Sequence, residues 1–512
     1  MEPHNESSSI TRRDFLKASR IALGALALQG CTQNKHARSG TSHGRPNILL
    51  CISDDQTFAH VGAYGCKFVN TPAFDRIASQ GVLFENAFVS APSCCPSRTS
   101  VLTGLDFYRL NETSMNHTIW SSQLRPYTDF LAATGYHVGY TGKGWGPGNW
   151  RKTGRSRNPA GTAYNRFNKE PDSKGRVPID YAKNFDDFLD KRPKEAPFCF
   201  WYGGKDPHRV FKKGIGLTEG KKLEDAHVPP FLPDSPEVRS DILDYAVHTQ
   251  WFDKHLGRMI RKLEKIGELD KTLIVVTSDN GMPFPRCKAT VYDWGTRMPL
   301  AIRWPERVKP GRVVTDMVSL TDLAPTFLEA AGLPIPSEMP GEGLMDILRS
   351  EKNGQIDPKR THVVMGIERH FPGGRKNRST YPIRAIRTHN YLYIKNYAPD
   401  RWPVGDPDGK TWPNNDPAGG FGDCDGSPAK TYMFQNKQKY AHLFALAFGK
   451  RPAQELYDVR KDPYQMKNLV SDPQYTVVRT RLATLLAKEL KRTADPRSSS
   501  QGYLFDNFSR NY

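Results

Sequence analysis

Short, almost entirely apolar segments, separated by longer stretches of helical periodicity, constrain the fold of this chain more than any other feature. Four such segments span residues 47–53, 136–141, 197–202 and 272–278. Strands that are apolar throughout are typical of a parallel sheet that is covered on both faces. An amphipathic helix is predicted directly before the last strand, from about Pro236 to Leu263. The pattern therefore predicts an α/β fold in which helices flank a mostly parallel sheet.

Reactive side chains follow each of these apolar strands directly. In chain order they are Asp54 and Asp55, Lys143, Asp206 and His208, and Asp279 and Asn280. Open α/β sheets bind their ligands beyond the carboxyl ends of the strands. We therefore expect these side chains to converge on one edge of the sheet and to form a single active site.

Two adjacent pairs of these residues offer four hard oxygen donors. Asp54, Asp55 and Asp279 carry carboxylates, and Asn280 carries an amide carbonyl. Such ligands suit Ca²⁺ or Mg²⁺ better than Zn²⁺. Asp-Asp and Asp-Asn-Gly also occur in ordinary solvent-exposed turns. Their position after two apolar strands favours a divalent-cation site instead.

The segment 94–98 reads CCPSR and continues into LTG at residues 102–104. Two adjacent cysteines alone would indicate buried apolar residues. The full pattern, C-x-P-S-R-x-x-x-L-T-G, resembles the signature of the type I sulfatases. In that family the first cysteine, here Cys94, is converted to formylglycine. Its hydrated aldehyde attacks sulfur through one hydroxyl, and deprotonation of the other expels sulfate.

Three further segments resemble the N-sulfoglucosamine sulfohydrolase branch of the sulfatases. They are residues 206–209 (DPHR), 278–285 (SDNGMPFP) and 381–384 (YPIR). The resemblance covers most of residues 46–350. It implies an α/β, alkaline-phosphatase-like fold with a mixed, mostly parallel sheet flanked by helices, and Ca²⁺ rather than Mg²⁺ as the metal.

The resemblance also implies roles for most of the candidate site residues. The expected metal ligands are Asp54, Asp55, the modified Cys94, Asp279 and Asn280. The expected catalytic and sulfate-binding residues are Cys94, Arg98, Lys143, His208 and Lys288. His208 is the candidate proton donor, because histidine titrates nearest neutral pH. The residues expected to bind the sugar are Arg209 and Arg384 together with Glu368, Arg369 and His370. The last three are expected not from the resemblance but because they lie where a second domain would recognise a carboxylated or sulfated sugar.

Three departures from the family pattern limit the prediction of substrate. Trp145 stands where many sulfatases carry a histidine, Lys288 replaces an arginine of the N-sulfatase, and residues 368–378 differ from that branch. The expected activity is therefore that of a sulfatase acting on a sulfated glycan or its oligosaccharides, with N-linked and O-linked sulfate both open. Two alternatives are a phosphate or phosphonate ester hydrolase of the same fold and a non-catalytic, lipid-anchored glycan-binding protein.

The N-terminus has the features of an export signal. Residues 11–17 (TRRDFLK) form a twin-arginine pattern, and the apolar run 21–28 is too short to span a bilayer. The following LQGC resembles a lipobox, in which Cys31 would be lipidated. Twin-arginine (Tat) export carries folded proteins, so a formylglycine-generating enzyme would act in the cytoplasm. The predicted location is the periplasm or the cell surface, with membrane contact through a lipid anchor alone.

Composition indicates the organisation and the partners of the chain. We predict a signal at 1–31, a polar linker at 32–45, a catalytic domain at 46–354 and a smaller α+β domain at 355–512. The net charge of +19 favours a polyanionic partner. Because nucleic-acid-binding motifs are absent from the sequence, a sulfated polysaccharide is favoured over nucleic acid.

Overall fold

A computed structural model describes residues 44–414 and 416–510. The predicted twin-arginine signal and lipobox, with Cys31, lie outside the described residues. Among the helices of these two ranges, none has both the length and the apolar character that crossing a membrane requires.

The strands and helices are numbered here in chain order. The strands are β1 (Asn47–Ser53), β2 (Val82–Phe84), β3 (Ala87–Phe88), β4 (Thr118–Ile119), β5 (His137–Gly142), β6 (Gly148–Asn149), β7 (Thr162–Ala163), β8 (Phe198–Gly203), β9 (Thr272–Ser278), β10 (Arg297–Met298), β11 (Ala301–Arg303), β12 (Arg312–Val314), β13 (Val318–Ser319), β14 (His362–Ile367), β15 (Ile383–Thr388), β16 (Tyr391–Asn396) and β17 (Gln454–Asp458). The helices are α1 (Pro72–Ser79), α2 (Cys94–Thr103), α3 (Tyr127–Ala133), α4 (Tyr181–Asp190), α5 (Ile215–Thr218), α6 (Pro236–Lys265), α7 (Asp293–Thr296), α8 (Leu323–Ala330), α9 (Met345–Arg349), α10 (Pro428–Gln435), α11 (Ala441–Phe448), α12 (Thr476–Arg492) and α13 (Tyr503–Arg510).

The main sheet has eight strands in the order β12-β2-β11-β9-β1-β8-β5-β7. Strand β11 runs antiparallel to both of its neighbours, and the other neighbouring pairs are parallel. The predicted strands at 47–53 and 272–278 have the observed bounds, and the two others differ by one residue at each end. The predicted α/β fold with a mixed, mostly parallel sheet is confirmed.

Strand β1 shows why an unbroken apolar run suits the centre of this sheet. All seven of its residues are buried. Ile48, Leu50 and Ile52 belong to the core on one face, and Leu49 and Cys51 belong to the core on the other. Apolar side chains are therefore required at every position from Ile48 to Ile52, since successive residues of a strand point to opposite faces.

Helix α6 covers the second of these faces. Ser235 caps its first turn by accepting a hydrogen bond from Val238 N, and proline occupies the first helical position. Its apolar stripe includes Leu256, Met259 and Leu263, which pack into the same core as Leu49 and Cys51. The helix thus returns the chain to the edge where β9 begins.

The C-terminal part contains a separate antiparallel sheet of β14, β15, β16 and β17. Helix α12 contacts β15 and β16. This part therefore contains both strands and helices, as an α+β domain does. The predicted α+β character of this part is therefore confirmed.

Candidate active site

The candidate site lies where four parallel strands end. Ser53 of β1 pairs with Ser278 of β9, and Gly142 of β5 pairs with Gly203 of β8. The residues that follow these pairs therefore start side by side at one edge of the sheet. The backbone N–H of Asp55 donates to Asp279 Oδ1 at 3.1 Å, which joins the first and last of the four segments.

Cys94 is the first residue of α2 and is almost fully buried. Its Sγ lies 3.4 Å from Asp54 Oδ1 and 4.0 Å from Asp55 Oδ1. Burial raises the pKa of the Cys94 thiol well above its ordinary value, and the charge of Asp54 raises it further. The unmodified residue is therefore a neutral thiol beside two carboxylates.

Arg98 lies one helical turn after Cys94 and is completely buried. Its Nε donates to Asp279 Oδ2 at 2.7 Å and its Nη1 donates to Lys143 O at 2.7 Å. Its Nη2 lies 4.0 Å from Asp54 Oδ1 and has no hydrogen-bond partner among the described residues. Burial opposes the charge, but Asp279 and Asp54 raise the pKa of Arg98 above its ordinary value.

Two lysines face the paired aspartates. Lys143 Nζ lies 2.6 Å from Asp54 Oδ2, and Lys288 Nζ lies 2.8 Å from Asp55 Oδ2. Burial alone would raise the pKa of Asp54, but Lys143 and its cationic neighbours hold that pKa well below its usual range. Lys288 also donates to Asp425 Oδ2 at 3.1 Å. The sequence analysis missed Asp425, because it lies in a glycine- and aspartate-rich loop without a motif.

His208 follows β8 and keeps 23% of its side chain exposed. Its Nδ1 lies 2.7 Å from the carbonyl oxygen of Arg209, so Nδ1 carries a proton and donates it. Its Nε2 lies 3.8 Å from Asp55 Oδ2. Trp412 packs edge-on against the ring, with 5.1 Å between ring centroids. His208 can therefore give a proton from Nε2 when it is charged and take one when it is neutral.

The donor atoms fit a divalent cation. One donor atom each of Asp54, Asp55, Cys94 and His208 lies within 4.8 Å of the others. Asn280 donates from Nδ2 to Asp55 Oδ1 at 2.6 Å. Its Oδ1 is buried without a hydrogen-bond partner in the described part of the chain, which leaves a carbonyl oxygen available to a cation. Four of the five predicted metal ligands, Asp54, Asp55, Cys94 and Asn280, therefore lie together. The fifth, Asp279, is joined to them where its Oδ1 accepts from the backbone N–H of Asp55.

Five of the residues described above line a cleft of about 500 Å³: Asp54, Cys94, Lys143, His208 and Lys288. Loops of the C-terminal part supply one wall, which includes His370, Phe371, Trp412 and Asp425. His117 from the N-terminal part also lines the cleft, and no motif in the sequence indicated it.

Glu368 and Arg384, both predicted to bind the sugar, lie outside the cleft. Both side chains are fully buried, and Arg384 Nη2 donates to Glu368 Oε1 at 2.8 Å. Arg384 also pairs with Asp495 at 2.7 Å, and Glu368 accepts from Arg497 at 2.7 Å. Their charges are satisfied inside the C-terminal part, so they hold this part together instead of facing the cleft.

The other three predicted sugar-binding residues differ in placement. Arg209 reaches the cleft wall, but Asp241 holds its guanidinium in a two-point ion pair at 2.7 and 2.8 Å. Arg369 is buried, with Nη2 3.5 Å from Asn116 O, and burial lowers its pKa to about 10. His370 alone of the segment 368–370 lines the cleft.

Trp145 occupies the position of the missing histidine as a packing residue. It is 3% exposed, and its indole Nε1 donates to Thr99 Oγ1 at 2.8 Å. Its ring meets Trp120 edge-on at 5.3 Å. A titratable group is therefore absent from this point of the described site.

Comparison with known proteins identifies the family. The profile of the sulfatase family matches residues 46–333, and that of the N-sulphoglucosamine sulphohydrolase C-terminal domain matches residues 287–413. An ulvan-active sulfatase of Formosa agariphila is 27% identical over 90% of this chain and 82% of its own length. The human N-sulphoglucosamine sulphohydrolase is 28% identical over 89% of this chain and 92% of its own.

A solved structure shares the fold. It is described as a complex with its substrate D-glucosamine-2-N,6-O-disulfate, and it superposes with a TM-score of 0.64 at 21% identity. The match covers 88% of this chain and 99% of that one. The matches confirm the resemblance and the fold that the sequence analysis predicted.

Proposed function

Because the chain belongs to the sulfatase family, we propose that it removes sulfate from a sulfated glycan or its oligosaccharides through a formylglycine made from Cys94. One observation carries the proposal: Cys94 lies beside Asp54 and Asp55, opposite the cations Arg98 and Lys143. A nucleophile, hard oxygen ligands and anion-binding groups are the parts that sulfate ester hydrolysis requires.

Arg98 and the two lysines would bind and orient the sulfate group. Arg98 is positioned one turn after Cys94, and its unpaired Nη2 can donate to the hydroxyl of the modified residue or to a sulfate oxygen. Lys143 and Lys288 approach from two sides and would offset the charge that grows on the sulfate oxygens. All three are positioned before substrate arrives, so they need little reorganisation.

His208 would move the proton. Its Nδ1 is committed to the carbonyl oxygen of Arg209, so Nε2 is the atom that exchanges protons with the substrate. With Trp145 at the position of the second histidine, His208 is the residue we assign to protonating the leaving atom.

Asp54, Asp55, Asp279, Asn280 and the modified Cys94 would hold the metal ion, for which we propose Ca²⁺. When bound, the ion would act as a Lewis acid that polarises a sulfate oxygen and lowers the pKa of the attacking hydroxyl. The hard oxygen set and the unpaired Asn280 Oδ1 support Ca²⁺ over softer metals.

The wider setting is also proposed. The twin-arginine pattern supports Tat export of the folded enzyme to the periplasm or cell surface, after a formylglycine-generating enzyme has acted in the cytoplasm. Lipidation of Cys31 would provide the membrane anchor. We further propose residues 46–354 as the catalytic domain and 355–512 as the domain that completes the cleft.

Two measurements test the function. Peptide mass spectrometry of residues 90–110 should find Cys94 lighter by about 18 Da, which is the change from thiol to aldehyde. Turnover of nitrophenyl sulfate should exceed that of nitrophenyl phosphate and phosphonate, and a panel of N-sulfated and O-sulfated glucosamines should define the linkage. Active protein with an unmodified thiol, or equal turnover by Cys94→Ala, would overturn the proposal.

A further inference from the structure

Besides His208 and His117, the cleft contains a histidine whose hydrogen-bonding state the surrounding residues determine. His370 lines the cleft and is 6% exposed. Its Nδ1 lies 2.8 Å from Ser93 Oγ and 3.0 Å from Asn116 Nδ2. Ser93 directly precedes Cys94, so the ring lies next to the start of the helix that carries the nucleophile.

A backbone N–H fixes the orientation of the Asn116 amide. Cys95 N donates to Asn116 Oδ1 at 2.8 Å. Because a backbone N–H can only donate, the atom that it contacts must be the amide oxygen. The amide nitrogen then points at His370, with Asn116 Nδ2 3.0 Å from His370 Nδ1.

The amide in turn fixes the tautomer of His370. An amide N–H can only donate, so His370 Nδ1 must accept and carries no proton. The hydroxyl of Ser93, 2.8 Å from the same nitrogen, can donate to it as well, since this hydroxyl does not cap the helix. The neutral ring therefore has its proton on Nε2, the nitrogen that neither Ser93 nor Asn116 engages.

The charges around the ring keep it neutral. Burial lowers the pKa of His370 well below its ordinary value, and Lys288 lowers it further. Asp425 acts in the opposite direction, while His117 and His208 add to the lowering when they are charged. His370 and His208 are thus complementary, because His208 has its proton on Nδ1 and exposes a basic Nε2.

We propose that His370 is a substrate-binding residue that donates a hydrogen bond from a neutral Nε2–H to an oxygen of the bound sulfated substrate. The inference rests on the proposed function and deepens it. Asn116 is the positioning residue, because it connects Cys95 of the nucleophile helix to the His370 ring. The acceptor is an oxygen of the sulfate group or of the sugar that carries it.

The tautomer is tested first, without reference to turnover. Spectra of protein labelled with ¹⁵N in histidine, with His370→Gln used for assignment, should show His370 neutral and protonated at Nε2 from pH 6 to 8. Asn116→Asp should move the proton to Nδ1 at the upper end of this range, since a carboxylate accepts from Nδ1. A wild-type ring protonated at Nδ1, or charged at pH 7, would overturn the proposal.

Kinetics test the contact with substrate. His370→Ala should lower kcat/KM by about 100-fold, the usual cost of losing one positioned donor. His370→Gln should stay within about 5-fold of the wild type, because its amide places an N–H near the position of Nε2. His362→Gln on β14, which is half-buried and outside the cleft, is the matched control and should leave kcat/KM unchanged.

The pH profile separates hydrogen bonding from a purely structural role. In Asn116→Asp the new carboxylate raises the pKa of His370, so Nε2–H is present when the ring is charged and is lost above that pKa. The variant should gain a fall in kcat/KM at high pH, and the double variant Asn116→Asp/His370→Gln should lack this fall. Identical profiles of single and double variants would overturn the proposal, even if His370→Ala fails to fold.

Two substrates identify the acceptor. If His370→Ala lowers kcat/KM equally for nitrophenyl sulfate and for the best saccharide of the panel, the acceptor is a sulfate oxygen. Inorganic sulfate should then also inhibit the variant more weakly than the wild type. A loss confined to the saccharide assigns a sugar oxygen. Failure of the proposed function would appear separately, as a wild type without formylglycine or sulfatase turnover, and the tautomer would still be measured.

Discussion

The ammonium group of Lys288 lies 3.1 Å from Asp425 Oδ2, and both side chains are almost completely buried. The same ammonium lies 2.8 Å from Asp55 Oδ2. Burial would lower the pKa of Lys288, but Asp425 and Asp55 raise it well above the ordinary value. A residue of the C-terminal loops thus keeps Lys288 charged and in place beside Asp55.

We expect Asp425→Asn to lower kcat/KM by about 10- to 100-fold, because Lys288 would lose one of its two anchors beside the nucleophile. The substitution keeps the shape of the side chain and removes the charge. Steady-state kinetics with nitrophenyl sulfate would measure the loss, with formylglycine content checked by mass spectrometry. Asp408→Asn is the control, since Asp408 is exposed and its one ion pair among the described residues is with the exposed Lys376. Wild-type kinetics in Asp425→Asn would show that Lys288 needs no such anchor.

Removal of the metal should abolish turnover while leaving a folded protein. Without a cation, the carboxylates still face positive side chains, since Asp54 pairs with Lys143, Asp55 with Lys288 and Asp279 with Arg98. Chelated protein should therefore unfold cooperatively at a lower midpoint, because the ligand no longer stabilises the native state. Ca²⁺ should restore activity better than Mg²⁺, which demands a stricter octahedral geometry. Turnover that survives complete chelation would contradict the proposed site.

The central sheet and the convergence of its reactive residues could be predicted from sequence because both depend on local pattern. An unbroken apolar run identifies β1 and β9, and parallel strands that end together bring their following residues together. Strand β11 could not be predicted, since its three residues are too few to show a periodicity.

The cleft wall could not be predicted, because it depends on contacts between distant segments. Glu368 and His370 are two residues apart, yet only His370 faces the cleft. Glu368 turns inward to Arg384 and Arg497, which lie in later parts of the chain. Asp425 likewise gains its function from a lysine 137 residues away. The spacing of residues in the sequence does not indicate such long-range ion pairs.

Glu368→Gln tests whether this segment serves stability instead of sugar binding. Removing one partner from a fully buried ion network leaves Arg384 and Arg497 undercompensated, which costs about 3–5 kcal/mol of unfolding free energy. KM for the best saccharide should stay unchanged in the folded protein. Urea unfolding and steady-state kinetics would measure the two effects. Glu329→Gln is the control, because Glu329 forms a partly exposed pair with Arg349 and should change stability little. A raised KM without loss of stability would show that Glu368 contributes to substrate binding.

Two buried histidines away from the cleft predict how stability depends on pH. Burial lowers the pKa of His60 to about 3, with a smaller contribution from His227. Burial also lowers the pKa of His255 to about 3, with a smaller contribution from Arg258. Both rings are ordinary in the unfolded chain, with pKa values near 6.5. Between pH 6.5 and 3 these histidines are therefore protonated in the unfolded state but not in the folded state. The free energy of unfolding consequently falls as the pH falls. Each histidine should lower the free energy of unfolding by about 2 kcal/mol between pH 7 and pH 5.

His60→Phe isolates one of these contributions. The His60 ring packs edge-on against Tyr245 and Trp294, and its Nδ1 has no hydrogen-bond partner within the described ranges, so a phenyl ring can replace it. Urea unfolding of wild type and variant at pH 7.5 and pH 5 should give a variant that loses about 2 kcal/mol less on acidification. Comparing the two proteins cancels the contributions of other titrating groups to the pH dependence. One of these groups is Asp253, whose pKa is raised to about 7 by burial and which stabilises the fold as the pH falls. Equal losses in both proteins would mean that His60 is already charged in the folded state.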